Sequence, residues 1–221
     1  EFVDQNGRTH KIASYIVMHT LRELGNDAVI KMGSEMPFMK EALDEEGRVS
    51  IDESNIDSLA QRAPDWSRQV ELTGYLISEP HHKFGSLLAV SRPNWIDNPY
   101  HENWDESGRA KCDAIEYQAL DTSGKVGVLN LGEVDTFALD GQHRIMGIRG
   151  VKELQDGWLS LRKKNGESSG KNISREKFLA DRNNDEASLV RVLDDQLAVE
   201  YVPAVRVHGA PLVALERLAV F

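Results

Sequence analysis

The chain has 221 residues, 40% of them hydrophobic and 28% charged, with a formal net charge of −10. This length suits one sizeable domain with its own core, and the composition excludes a disordered or fibrous chain. The acidic balance excludes coating of DNA by charge alone, which needs a broad basic surface, and confines any DNA contact to a local patch.

No apolar run approaches the roughly 20 residues needed to span a bilayer, and the opening residues do not read as a targeting leader. Together with a single cysteine, Cys112, which excludes an internal disulfide, this leads us to expect a cytoplasmic protein without a membrane partner. Cys112 itself is read as a packing or incidental residue. Glu1-Phe2 reads as a cloning remnant, and the apolar end Leu218-Ala-Val-Phe221 as either a fragment boundary or a docking helix.

The apolar spacing of Ile12, Tyr15, Ile16 and Leu24 predicts an amphipathic helix over 9–24, stopped by Gly25-Asn26. A short strand is expected over 28–32, then a polar loop with broken helix over 33–54. Its acidic residues Asp44, Glu45, Glu46, Asp52 and Glu53 match no calcium-loop spacing and read as a solvated face. Two helices, 55–62 and 65–78, are separated by Pro64, with Asp65 capping the second. A strand over 86–90 follows. The stretch 94–109 reads as a long loop carrying Trp95, Tyr100 and Trp104, which either stack on bases or pin the loop to its own domain. His101 and Glu102 alone are too few for a metal site. Strands are predicted over 114–120, 126–131 and 134–139.

The last of these runs straight into Asp140-Gly-Gln-His-Arg144, and from Gln142 the residues Ile145, Ile148, Val151 and Leu154 fall at helical spacing. Asp140 is placed to cap this helix. A strand, a glycine turn and a helix start bearing His143 and Arg144 together describe an anion site: backbone N–H groups, the positive end of the helix dipole and a guanidinium fork. Beyond it, 160–177 reads as a flexible Gly/Ser/Lys loop. Arg162, Lys163, Lys164 and Lys171 make it the most basic segment and a candidate nucleic-acid or triphosphate contact. A helix over 184–198, a strand over 199–207 and a helix over 211–221 complete the chain. The fold class expected is mixed α/β: one domain, with a central mixed sheet flanked by helices.

Asp140-Gly-Gln-His-Arg144 resembles the motif that names the DGQHR proteins, whose best-known members are the DndB-like proteins of DNA phosphorothioation, a DNA sulfur modification. The segments 62–80, 84–90 and 200–207 are similar to the helix and strands around that motif, so the resemblance covers about residues 60–207, with 1–59 as a helical extension. The strand, turn and helix unit also resembles the ParB and sulfiredoxin superfamily, whose Gly-x-x-Arg turn holds nucleotide phosphates. This implies Gly141, His143 and Arg144 as phosphate contacts, with basic residues such as Arg62 and Arg68 near them. A nucleoside triphosphate, ATP first, becomes the expected cofactor. Gln142 stands where sulfiredoxins carry their reactive cysteine, which sets sulfinic acid reduction aside.

Two main functional readings follow. In the first, Asp140 and Gln142 are catalytic: Asp140 orients a Mg²⁺ ion, with Glu133 or Asp135 as a further ligand, or a water that Gln142 helps to position. Triphosphate hydrolysis and DNA nicking are both open. In the second, the same turn clasps a DNA phosphate in a non-catalytic transcriptional regulator of a sulfur modification gene cluster, although no helix-turn-helix signature is evident. A scaffold in a modification complex is a third. Expected partners are DNA, a nucleotide, other DNA modification proteins and a second copy of the chain.

Overall fold

Residues 2–3, 9–10, 13–35, 64–98, 100–106, 111–112, 115–132 and 134–203 are described in this computed structural model, and they form a mixed α/β structure. The helices expected over 55–62 and 211–221, most of the loop over 33–54 with its acidic group, and Arg62 and Glu133 lie outside the described residues.

Alternation rather than helical spacing governs the start of the chain. Phe2–Val3 (β1) and Thr9–His10 (β2) pair antiparallel. Tyr15–Thr20 (β3) is a strand, which corrects the helix expected over 9–24. Ile16 and Met18 face outward, while Tyr15 and Val17 pack on the core. The β-branched Ile16, Val17 and Thr20 favour extended backbone, and a period of two satisfies their burial as the 3.6 period does not. Among the described residues of that span only Leu21–Leu24 (α1) is helical. It opens with a capping box: Glu23 N–H donates to Thr20 Oγ1 at 3.2 Å, and Thr20 N–H to Glu23 Oε2 at 2.9 Å.

The main sheet has four strands in the order β3, β10 (Gln196–Pro203), β4 (Leu87–Pro93), β7 (Val134–Asp140). β10 runs parallel to β4, and the outer two pairings are antiparallel, so the sheet is mixed as expected. The motif strand β7 is at the edge of this sheet. Among the described residues Lys31 alone bridges its far side, donating its N–H to Thr136 at 2.7 Å and accepting from Ala138 at 2.9 Å. The strand expected over 28–32 thus shrinks to one bridging residue between buried Ile30 and Met32. Glu116–Ala119 (β5) and Gly127–Asn130 (β6) form as strands but, among the described residues, pair only with each other.

A 3-10 turn, Trp66–Arg68, leads into Gln69–Ser78 (α2), and Asp65 caps the turn as expected, accepting from Ser67 N–H at 3.1 Å. The motif helix Gln142–Gln155 (α3) is buried nearly all round, with Ile145, Met146, Ile148, Val151 and Leu154 wholly inaccessible. α2 crosses it where Gly147 and Gly150 leave no side chain in the way. A Cβ at Gly150 would stand 2.0 Å from Thr73 Oγ1, and one at Gly147 3.1 Å from Leu72 Cβ.

The loop expected over 160–177 is instead a hairpin, Trp158–Arg162 (β8) with Ser168–Ser174 (β9), followed by Arg175–Ala180 (α4). Few residues of this hairpin carry apolar burial, chiefly Leu159 and Ile173, so its polar surface hid the alternation. Ser174 caps α4 by accepting from Lys177 N–H at 3.3 Å. Glu186–Asp194 (α5) then leads into β10.

In the stretch 94–109, Trp104 is buried and donates Nε1–H to the Asn98 carbonyl at 2.9 Å. Trp95 meets it edge-on at 4.9 Å, so these tryptophans pin their own segment, leaving Tyr100 exposed. Cys112 is exposed, which removes the packing alternative of its expected reading and leaves the incidental one. Among the described residues no helix is long and apolar enough to cross a membrane.

Candidate functional site

The centre of the site is the junction of β7 and α3. Asp140 is the last strand residue and stays in register with Leu88 of β4, so its backbone is not free to turn into the helix. Gly141 makes the corner at φ 90°, ψ 17° and occupies the N-cap position, which corrects the expectation that Asp140 caps α3. Any other residue would be strained at this left-handed φ, and a Cβ would stand 2.3 Å from Leu87 Cδ2.

A glycine cap brings no side-chain acceptor, and α3 opens without one. Its first intrahelical bond runs from Ile145 N–H to the Gly141 carbonyl at 3.0 Å. The first-turn amides of His143 and Arg144 precede that bond, at the positive end of the helix dipole.

Arg144 leans out over this start. Its Nη1 donates to the Ser86 carbonyl at 2.8 Å and to Asp140 Oδ2 at 3.4 Å. Asp140 Oδ1 accepts from Gly141 N–H at 2.7 Å. With the Arg144 side chain 30% and the Asp140 side chain 67% exposed, the corner is open to solvent. Both arginine bonds use Nη1. Nη2 lies beside Gly85, where even an added Cβ would be 3.6 Å away.

His143, one residue earlier, faces the 3-10 turn instead. Its Nε2 accepts a long 3.4 Å bond from Asp65 N–H. Burial holds its pKa below the usual histidine value, Arg68 lowers it further, and Asp65 opposes them, so the imidazole is neutral at pH 7. Because the folded-state pKa is depressed, the unfolded chain takes up the proton first. Stability contributed by neutral His143 is present above about pH 6.5 and is lost as pH falls through the lower folded value. Urea unfolding across pH 5 to 8 is expected to show this loss, and His143→Gln to flatten it; an unchanged slope in the variant would refute the assignment.

Arg68 therefore lies near His143, and the hairpin tip approaches the same turn. Trp66 N–H donates to the Lys164 carbonyl at 3.1 Å, and Lys164 and Arg68 both help to hold the Asp65 carboxyl below its usual range, after its bonds from Ser67. Arg162 lies over the Trp66 ring at 5.1 Å and pairs with Glu153 at 3.0 Å. Lys163 pairs with Glu167 at 2.9 Å, and Lys171 is exposed farther along β9. The predicted basic residues thus divide: Arg68 and Lys164 gather at the 65–68 turn with His143, while Arg162 and Lys163 are engaged by carboxylates.

Gln142 is buried beside Gly33, where a Cβ would stand 3.2 Å from its side-chain amide, so it faces the interior rather than the open side. Asp135 does not reach Asp140. They lie five residue steps apart on the same strand, about 17 Å at roughly 3.4 Å per residue, and Asp135 is paired with Lys31. Among the described residues no three His, Cys, Asp or Glu side chains converge for a metal. Asp140 alone fits a cation held mainly by phosphate oxygens and water, the usual mode for Mg²⁺.

The Ser86 carbonyl, Gly85 and Asp65 were not anticipated as parts of the site. The only sequence signal for the first two was a glycine two residues before β4. Three cavities lined by described residues have volumes of about 780, 550 and 410 Å³, and none of these three takes in a residue from 140 to 144. Comparison with protein-family models, curated proteins and solved structures returns no match to this chain. The DGQHR resemblance rests on the motif and its flanking segments.

Proposed function

We propose that the 140–144 corner binds a phosphate group, of a nucleoside triphosphate or of DNA, in a DGQHR-type protein of DNA modification or defence. The carrying observation is a helix start with no side-chain cap, set at a left-handed Gly141 beside the part-exposed Arg144 guanidinium. Amide hydrogens and the helix dipole favour an anion there, and a guanidinium edge adds charge-assisted bonds. In this reading β7, the turn and α3 are the ParB/sulfiredoxin-like core. Asp140, the exposed carboxylate, orients a water or a phosphate-borne Mg²⁺ for triphosphate hydrolysis or phosphodiester cleavage. Gln142, turned inward, supports the turn rather than touching the reacting atoms.

Calorimetric titration with ATP and Mg²⁺, alongside a phosphate-release assay, tests this reading. Arg144→Ala is expected to weaken binding by about tenfold or more, the value of one charge-assisted hydrogen bond. Asp140→Asn is expected to retain binding and lose turnover. If the wild type binds neither ATP nor DNA, or Arg144→Ala binds as tightly as wild type, the reading is wrong.

One observation favours the second reading, a non-catalytic DNA-binding regulator: Arg68 and Lys164 extend the site along the 65–68 turn next to His143. A DNA mobility shift that weakens steeply with salt and is reduced by Arg68→Ala, with no triphosphate turnover, would select it.

A further inference from the structure

We infer that two copies of this chain join through the free edge of β3, pairing antiparallel about a two-fold axis at Val17 and making one continuous sheet of their two main sheets. The inference does not rest on what the 140–144 corner binds.

β3 ends the main sheet on one side, and among the described residues no strand lies along its outer edge. Its pairing with β10 decides which backbone groups are used. Leu21 N–H donates to the Asp195 carbonyl at 2.9 Å, the next pair beyond Thr20 and Gln196 in the register. Hydrogen-bonded pairs recur at every second residue of an antiparallel ladder, so Val17 and His19 turn their N–H and C=O groups toward β10 while Ile16 and Met18 turn theirs away. The Thr20 N–H, also on the outer side, is taken by Glu23 in the capping box. Ile16 and Met18 are left with their donors and acceptors along the edge.

Their side chains are exposed as well, Ile16 at 74% and Met18 at 55%. Natural edge strands are commonly guarded by a lysine, a proline or a bulge. The segment 13–20 holds no Asp, Glu, Lys, Arg or Pro, whereas β7, the opposite edge, is bridged by Lys31. In a chain of net charge −10, the partner that suits this edge brings no further acid to it, and β3 itself meets that condition. Glu200, beside Ile16 in register, stands one strand back from the contact.

The pattern is self-complementary. Centred on Val17, Ile16 of one copy stands opposite Met18 of the other, and each turns its free backbone groups toward the other. The two-fold repeats this, giving two narrow pairs that each exchange both N–H···O=C bonds, with Ile16 and Met18 side chains in contact on one face. Centring on Ile16 would set Met18 against Ser14, and centring on Met18 would set Ile16 against Thr20, each losing that apolar match. Asp140, Leu88, Glu200 and Ile16 form one row across the sheet. Pairing at β3 therefore holds the two 140–144 corners about 34 Å apart, seven strand spacings at roughly 4.8 Å. If the corner binds DNA as proposed, that is the length of one helical turn of duplex.

Sedimentation velocity of the full chain over about 10 µM to 1 mM is expected to show a monomer–dimer equilibrium, because a contact one strand long is small for a permanent interface. Ile16→Lys and Met18→Glu, both at exposed positions, should each weaken dimerisation by about tenfold or more, since the two-fold doubles each loss. The double variant should recover it at low salt by facing each lysine with a glutamate of the other copy. Amide exchange by NMR gives a second reading: the Ile16 and Met18 N–H groups should slow as concentration rises, while Val17, already bonded to β10, stays constant. A monomer throughout the range, a dimer that both single variants leave intact, or a double variant no better than the singles would overturn the inference. So would a monomer whose Ile16 and Met18 amides are already protected, which would put another segment of the same chain on this edge.

Discussion

Alanine at position 150 is expected to destabilise the protein by about 2–3 kcal/mol, the upper part of the range for overpacking a tight core. At an open helix position the same change would stabilise by roughly 1 kcal/mol through backbone entropy, so the sign itself is diagnostic. The added methyl would stand 2.0 Å from Thr73 Oγ1, 3.1 Å from Thr73 Cβ and 3.3 Å from Gln69 Cγ. Thr73 cannot simply turn aside, because its hydroxyl donates to the Gly147 carbonyl at 3.2 Å in a buried setting. Urea unfolding gives the number. Adding Thr73→Ala to Gly150→Ala should recover part of the loss, with a coupling of about 1 kcal/mol between the two sites. A Gly150→Ala variant at least as stable as wild type would mean that α2 and α3 do not meet here.

Arg149→Leu is expected to cost about 2–4 kcal/mol, as the loss of a buried charged hydrogen bond with imperfect refilling of its space. The guanidinium donates from Nη2 to the Ile30 carbonyl at 2.9 Å, and Ile30 is wholly buried. Nε is 2.8 Å from Asp27 Oδ1 but off the line of its N–H, so that contact is one of charge rather than a directed bond. Asp27 is exposed and water replaces its lost partner, whereas the Ile30 carbonyl has no such recourse. Asp27→Asn should therefore cost much less than Arg149→Leu in the same unfolding measurement. Equal losses would show that the ion pair, not the carbonyl bond, carries the energy.

The parts of this fold readable from the sequence were those with one strong local signal. The run from Phe137 to Leu139 into the stripe of Ile145, Ile148, Val151 and Leu154 announced β7 and α3, and Asp65 announced the helical start at Trp66. Where two periods compete, the local signal misleads. Tyr15 and Ile16 fit a helical face with Leu24, yet β10 supplied them a strand partner about 180 residues away, a contact that local spacing cannot encode. The hairpin over 158–174 buries too little apolar surface to show alternation. At the site, Gly141 and Arg144 were legible because a strand meeting a helix needs a special backbone at that point. Gln142 was not, since an amide between Gly141 and His143 has the same appearance whether it turns toward solvent or, as here, toward Gly33.

The closeness of Gly147 and Gly150 to α2 has a mechanical effect on the rest of the molecule. Two helices whose backbones nearly touch cannot slip past one another by even a methyl's width, so they travel as one body. That body carries Arg68 just ahead of α2 and His143 at the head of α3, which locks their mutual distance whatever arrives at the turn. If the corner holds a phosphate as proposed, its adjustment comes from the strand side, where Gly85 and Ser86 meet the Arg144 side chain.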